Sequence, residues 1–224
     1  MATIYAHTNE GYVVRHAQST WSDARDNVAG TRAASTAPRF SDAVQASRYA
    51  ARGGGYTFSI RRSFFYFDTS GISTDVDSAT FKVYGFSQGT GDLIAVKATS
   101  GIEIISVTDF SNIVGWSTTT DGSGGGDNES NVTKYSAEIS TWSTSGYNDI
   151  TLNAQALADM RDDNTIYICL LNFDYDLKDI APTSLNSDGM YYIDGFGTLR
   201  DPYIDYDLAA VATADNATFF GTNF

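Results

Sequence analysis

The chain reads as a succession of short apolar and aromatic runs punctuated by polar turns. The longest, Phe58-Ser-Ile-Arg-Arg-Ser-Phe-Phe-Tyr-Phe-Asp68, becomes apolar on both faces toward its end, which predicts a central strand. Gly71 with Asp75 and Asp77 marks a turn, after which residues 78–86 predict a strand. Residues 92–97 predict another beyond the loop Ser87-Gln-Gly-Thr-Gly91. Further strands are predicted over 147–152, 165–171, 190–194 and 203–208. In the last, Ile204, Tyr206 and Leu208 share one face while Asp205 and Asp207 take the other. Residues 3–6 and 11–14 are placed to pair as a short hairpin. Helical signal is scarce. Asn153 is a good N-cap for Ala154-Gln-Ala-Leu-Ala-Asp-Met-Arg161, with Ala156, Leu157 and Met160 on one side, and residues 107–113 predict a single turn.

Many strands with helix only in connections predict an all-β fold, an antiparallel β-sandwich (jelly roll) with one or two short helices in connections. Residues 1–208 form one domain in this reading. Two stretches lack strand periodicity. Residues 22–57 run through Ala, Ser and Arg to Gly53-Gly54-Gly55 and read as a long loop or arm, with Phe40, Val44 and Tyr49 among its arginines. Residues 117–131 read as a Gly/Ser/Asp surface loop. The tail, 209–224, ends in Phe219, Phe220 and Phe224, aromatics suited to a groove or a partner.

Charge sharpens the arm. The formal net charge is −13, which argues against sequence-independent nucleic-acid binding. Residues 1–62 nevertheless hold eight arginines and no lysine against four acids, a local charge of +4, leaving six basic and 23 acidic residues, −17, in the rest. Such an Arg-rich segment suits docking on an acidic surface, its own or a neighbour's. Arg32, Arg39, Arg48 and Phe40 are the expected contact residues, together with the three tail phenylalanines.

Candidate chemistry is thin. Cys169, the single cysteine, lies in an apolar run and reads as a buried, inert thiol. His7 and His16 have no nucleophile motif beside them, and Gly53–Gly55 precedes a strand, the wrong context for a phosphate loop. No catalytic or metal-binding set, and no cofactor, is expected. Calcium is the one metal weighed, through Asn172, Asp174 and Asp176 beside Leu177, although no EF-hand spacing is present. Trp21, Trp116 and Trp142 are candidate sugar-stacking platforms, with packing at the sandwich edge the commoner fate of such residues. The first residues carry neither a basic nor an apolar leader region, and no apolar run approaches the roughly 18–20 residues that span a bilayer.

Several segments follow one another in a telling order: Tyr12-Val13 with Thr20-Trp21, then Arg62-Ser-Phe-Phe-Tyr-Phe-Asp-Thr-Ser70 and Ser78-Ala-Thr-Phe-Lys-Val-Tyr84. The series continues through Ser145-Gly-Tyr-Asn-Asp-Ile-Thr-Leu-Asn153, Asp174-Tyr-Asp-Leu177, Ala181-Pro182 and Asp201-Pro-Tyr-Ile-Asp-Tyr-Asp207. This order resembles the DNRLRE-type carbohydrate-binding-like jelly-roll family, found in phage and prophage structural genes and in bacterial surface proteins. It covers residues 10–208, and the DNRLRE letters themselves are absent. The resemblance implies a non-enzymatic virion protein on the particle exterior: a capsid decoration protein, a head fibre or a tail-associated module. The expected partners are other copies of the chain, as a homotrimer, and the major capsid protein or other virion proteins. The alternative is a carbohydrate-binding or host-receptor-binding adhesive module recognising a surface glycan. Neither nucleic acid nor membrane is an expected partner.

Overall fold

Two long strands, each shared between several neighbours, organise the molecule. The computed structural model describes residues 1–34, 38–118, 128–192 and 200–210. The elements are β1 (Ala2–Tyr5), β2 (Gly11–Gln18), α1 (Trp21–Arg25), β3 (Arg32–Ala34), β4 (Arg39–Ala50), β5 (Tyr56–Asp68), β6 (Val76–Gly89) and β7 (Leu93–Lys97). A 3₁₀ turn (Val107–Ser111), β8 (Tyr147–Thr151), α2 (Ala154–Asp162), β9 (Thr165–Asn172), a π-helical turn (Phe173–Leu177), β10 (Leu185–Tyr191) and β11 (Tyr203–Leu208) complete them. One layer runs β1-β11-β6-β8, and the other is built on β5, which pairs with β2, β4 and β9. Strand β10 joins the layers, pairing with β6 on one side and β4 on the other. Every pairing is antiparallel. The fold is the expected all-β antiparallel sandwich.

The double-faced aromatic run in β5 has a physical cause: both of its faces are buried. Phe65 and Phe67 point into the space between the layers, where they meet Phe81 of β6 edge-on at 5.2 and 5.4 Å. Ile60 and Phe64 point the other way, into a second core with Val13, Val96, Cys169 and Leu171. That core is roofed by α1, the 3₁₀ turn and Ile102, Ile113 and Val132. A strand packed on both sides has no polar face to show, so its sequence loses the alternation of a half-exposed strand.

Strand β10 approaches its neighbours so closely that it needs glycine. A Cβ on Gly189 would lie 1.7 Å from the Phe86 carbonyl oxygen, and Trp142 Nε1 donates to the Gly189 carbonyl at 2.9 Å. The register slips here, between Asp188 and Met190.

Several expectations are corrected. Residues 3–6 and 11–14 do not form a hairpin: β1 lies beside β11 in one layer, while β2 lies between β3 and β5 in the other. The connection between them carries the chain from layer to layer. Residues 22–57 are not an arm or a long loop. They contain all of α1 but its first residue, β3 and all twelve residues of β4, which pairs with both β5 and β10. Strand β10 begins at Leu185, earlier than expected. The 119–127 part of the expected Gly/Ser/Asp loop, residues 193–194 and the tail from 211 lie outside the described residues.

The second core is crossed by a buried charge cluster. Arg62 of β5 and Asp176 of the π-helical turn are both fully buried and form a two-toothed pair, Nε to Oδ2 at 2.8 Å and Nη2 to Oδ1 at 2.7 Å. The remaining Arg62 donors reach the carbonyls of Phe110 (2.6 Å) and Arg25 (3.3 Å). Arg25, also buried, donates to the carbonyls of Asp176 (2.5 Å) and Leu177 (3.2 Å) and pairs with Asp26 at 2.6 Å. The Arg62 guanidinium lies over the rings of Phe110 and Trp116 at 4.1 and 4.0 Å. Removing one member strands the other in a dry interior. Arg62→Met is therefore expected to cost about 3–5 kcal/mol in urea unfolding, because Asp176 loses its two-toothed partner and is left with Arg25 Nε, 3.9 Å away. A loss below about 1 kcal/mol would show that the cluster is solvated and structurally incidental.

Candidate functional site

Alternation along the outer layer puts apolar residues inside and aromatic ones outside. In β6, Phe81 and Val83 enter the core, whereas Lys82, Tyr84 and Phe86 face outward. Tyr147 stands opposite Tyr84 on β8, and Tyr5 of β1 stands opposite Tyr203 of β11. Tyr191 of β10 follows the same parity, between the inward Met190 and Tyr192. The result is a continuous stripe. Ring centroids are 5.7 Å apart for Tyr5–Tyr203, 5.1 Å for Tyr203–Tyr147, 5.2 Å for Tyr147–Tyr84, 5.5 Å for Tyr84–Tyr191 and 5.5 Å for Tyr191–Phe86. Beyond the tilted Tyr5 pair, successive rings meet at 71–90°, a herringbone rather than a flat platform.

Two arginines close one end of the stripe. Arg39 lies 4.4 Å from the Phe86 ring and donates to the Tyr191 hydroxyl at 2.8 Å. Arg200 lies 4.7 and 4.8 Å from Tyr84 and Tyr191 and donates to the same hydroxyl at 2.6 Å. The opposite end is acidic: Asp149 pairs with Lys82 at 2.8 Å, Asp205 accepts from Thr3 at 2.6 Å, and Asp207 meets the chain's amino group at 2.6 Å. The surface is thus an amphipathic band, basic at one end and acidic at the other.

The expected contact residues fare differently. Arg39 belongs to the stripe. Phe40, its neighbour in β4, points the opposite way and packs edge-on against Tyr12 at 4.4 Å, because successive strand residues alternate faces. Arg39 and Phe40 therefore cannot dock together on one partner. Arg48 stacks over Tyr56 at 4.1 Å, and Arg32 is exposed on β3. Much of the positive charge of residues 1–62 is met within the chain: Arg15 by Asp23 (2.6 Å), Arg61 by Asp42 (2.8 Å), Arg25 by Asp26, Arg62 by Asp176. Phe219, Phe220 and Phe224 lie outside the described residues.

None of the three tryptophans is a free platform. Trp142 is buried, Trp116 lies against Arg62 and Arg25, and Trp21 donates to Asp179 at 2.9 Å. The weighed calcium ligands diverge too. Asp176 is taken by Arg62, Asp174 pairs with Lys178 at 2.8 Å, and Asn172 accepts from the Tyr175 amide. Among the described residues no three His, Cys, Asp or Glu side chains group as a metal site. Cys169 is fully buried, and burial pushes its thiol well above the usual range. His16 Nδ1 lies 3.1 Å from Ser59 Oγ, a contact the sequence did not signal. Ser59 is fully buried and its Oγ already accepts from the Ala17 amide, so it has no path to a substrate. Among the described residues no helix is long and apolar enough to cross a membrane. No family model matches the chain, and no curated protein matches its sequence.

Two acids on the edge of the first core make stability depend on pH. Burial raises Asp188 of β10 to about 7 and Asp92, before β7, to about 6. One Asp188 oxygen accepts from the Gly91 amide at 2.8 Å and the other has no partner. Their folded values exceed the unfolded one, so the stability they permit is complete below about pH 4 and is lost as pH rises through 6 and 7. Asp188→Asn is expected to flatten that decline by roughly 2–4 kcal/mol in denaturation curves taken from pH 4 to 8. An unchanged slope would mean that Asp188 ionises freely in the fold.

Proposed function

We propose that this chain is a non-enzymatic structural protein of the exterior of a bacteriophage particle, a capsid decoration protein, head fibre or tail-associated module, and that it works by protein–protein contact through the aromatic stripe. The observation that carries the contact reading is the make-up of the stripe. Tyrosine and arginine are the residue types that dominate binding energy at interface centres. Its geometry favours a protein partner over a sugar. Guanidinium groups lie over Phe86, Tyr84 and Tyr191, and the herringbone of the middle rings presents edges where a sugar needs an open flat face. The particle setting rests on the family resemblance of the strand segments. Other copies of the chain, in a homotrimer, and the major capsid protein are the partners this reading assigns.

One observation favours the second reading, a glycan-binding adhesive module. Tyr5, at the acidic end, is 63% exposed and only tilted against Tyr203, so one ring face is open to stack on a sugar.

The test combines localisation with variants. Gold-labelled antibody is expected to decorate the outside of particles, and light scattering to give a mass near three times 24.2 kDa. Tyr84→Ser with Tyr147→Ser should retain the β-sheet circular dichroism while weakening self-association or particle binding roughly tenfold or more, about 1.4 kcal/mol. Unlabelled particles, or a variant that assembles like wild type, would remove this reading. Glycan-array binding abolished by Tyr5→Ser would favour the second.

A further inference from the structure

Strand parity carries an acid into the sandwich where, among the described residues, no cation is paired with it. Tyr12 and Val14 of β2 point into the first core, and Glu10, two residues before Tyr12, shares their parity. Glu10 is 2% exposed, its Oε2 has no hydrogen-bond partner, and among the described residues it has no ion pair. Its surroundings are no kinder. Burial, reinforced by the negative charge of Asp201, holds its carboxyl well above the usual range. A carboxylate left alone in such a place costs several kcal/mol, so proteins pair it, protonate it or give it to a metal.

The space beside Glu10 distinguishes among these. A cavity of about 40 Å³ is lined by Ala6, His7, Thr8, Glu10, Tyr192 and Asp201. It is large enough for a small ion with a water or two, given about 10–15 Å³ for each water-sized occupant. The side-chain donors around it are mostly oxygen, two carboxylates and a threonine hydroxyl, while the Tyr192 hydroxyl is held by Ser63 at 2.6 Å. The one imidazole, His7, is stacked on Tyr66 and bonds the Tyr66 hydroxyl through Nδ1. Oxygen-rich and bordered by two carboxyl groups, the cavity matches a hard cation rather than a thiophilic or imidazole-seeking one.

We infer that this cavity is a calcium site, with Glu10 and Asp201 as its charged ligands. The ion would tie together three stretches of chain: the β1–β2 connection, the start of β2 and the approach to β11. These come from both layers of the sandwich, so the site closes one end of it, and its role is structural. The inference is independent of what the aromatic stripe binds.

The test uses the full chain freed of metal with a chelator and then supplied with calcium chloride alone. Wild type is expected to take up one calcium per chain in calorimetry and to melt at a higher temperature as calcium rises. Glu10→Gln and Asp201→Asn should each bind calcium at least roughly tenfold more weakly. Metal-free Glu10→Gln should melt no lower than metal-free wild type, since it discards an uncompensated charge. Two outcomes overturn the inference: no heat and no melting shift for wild type at millimolar calcium, or a Glu10→Gln protein that answers calcium as wild type does. Under the first, the cavity holds only water and Glu10 is kept neutral by a proton.

Discussion

The pairing of Arg62 with Asp176 is the constraint around which the second core is arranged. β5 presents Arg62 on the same face as Ile60 and Phe64, so an ionised group stands in the middle of an apolar layer. That is tolerable only if every donor finds an acceptor and the charge finds its opposite. The chain meets the requirement with segments far apart in sequence: the carboxylate from the π-helical turn, and carbonyls from α1 and the 3₁₀ turn. None of these short elements is long enough to be stable alone. Each is fixed because its polar backbone completes the arginine's shell, and together they form the roof that keeps the second core dry. The arrangement is a specific one. An apolar residue at position 62 would leave the roof without a reason to adopt this conformation.

Fixing the roof fixes the other face by consequence. A β5 buried on both sides locks the register of β2, β4 and β9, and β4 in turn positions β10, which carries the pairing across to β6. Gly189 permits that crossing at close range, and beside it Tyr191 lies on the outward side under Arg39, next to Phe86. The stripe is therefore assembled by long-range pairing. Its residues come from six strands, and its basic end depends on β4, whose position depends on β5.

How much of this was legible in the sequence follows from where each signal is stored. The core strands β5, β6 and β9 and the helix α2 carry their information locally. Asn153 caps α2 as expected, accepting from the amides of Gln155 and Ala156 at 3.1 Å each. β4 could not be read that way. Its interior, Ser41-Asp-Ala-Val-Gln-Ala-Ser47, holds a single strong strand former, Val44, and it is a strand because β5 and β10 supply hydrogen bonds on both of its edges. Buried Ser63 receives the same treatment, donating to the Ala43 carbonyl at 2.6 Å. The same blind spot hid the charge pairing: Arg62 and Asp176 are 114 residues apart, so the excess of arginine near the start looked like an arm seeking a surface. The stripe was invisible for a related reason. Tyr5, Tyr84, Tyr147, Tyr191 and Tyr203 are single outward-parity residues on separate strands, each ordinary by itself, whereas the tryptophans, the conspicuous aromatics of the sequence, lie elsewhere.

The stripe and the calcium cavity share one short piece of chain, and this gives the two a physical connection. Arg200 stacks on Tyr84 and Tyr191, Asp201 lines the cavity, and Tyr203 lies in the stripe. The Asp201 carbonyl accepts from the Tyr147 hydroxyl at 3.4 Å, and the Pro202 carbonyl accepts from the Ala6 amide at 2.9 Å. An ion held by the Asp201 carboxylate would pin the peptide that carries a stripe residue on either side of it. Without the ion, Glu10 and Asp201 line one cavity of about 40 Å³, and the negative charge of Asp201 adds to burial in disfavouring an ionised Glu10. A shift of Asp201 on taking up the ion would be passed to Arg200 and Tyr203 through the backbone, with one residue between Asp201 and Tyr203 to absorb it. On this proposal the order of the stripe at this end responds to how the charge on Glu10 is met inside the sandwich.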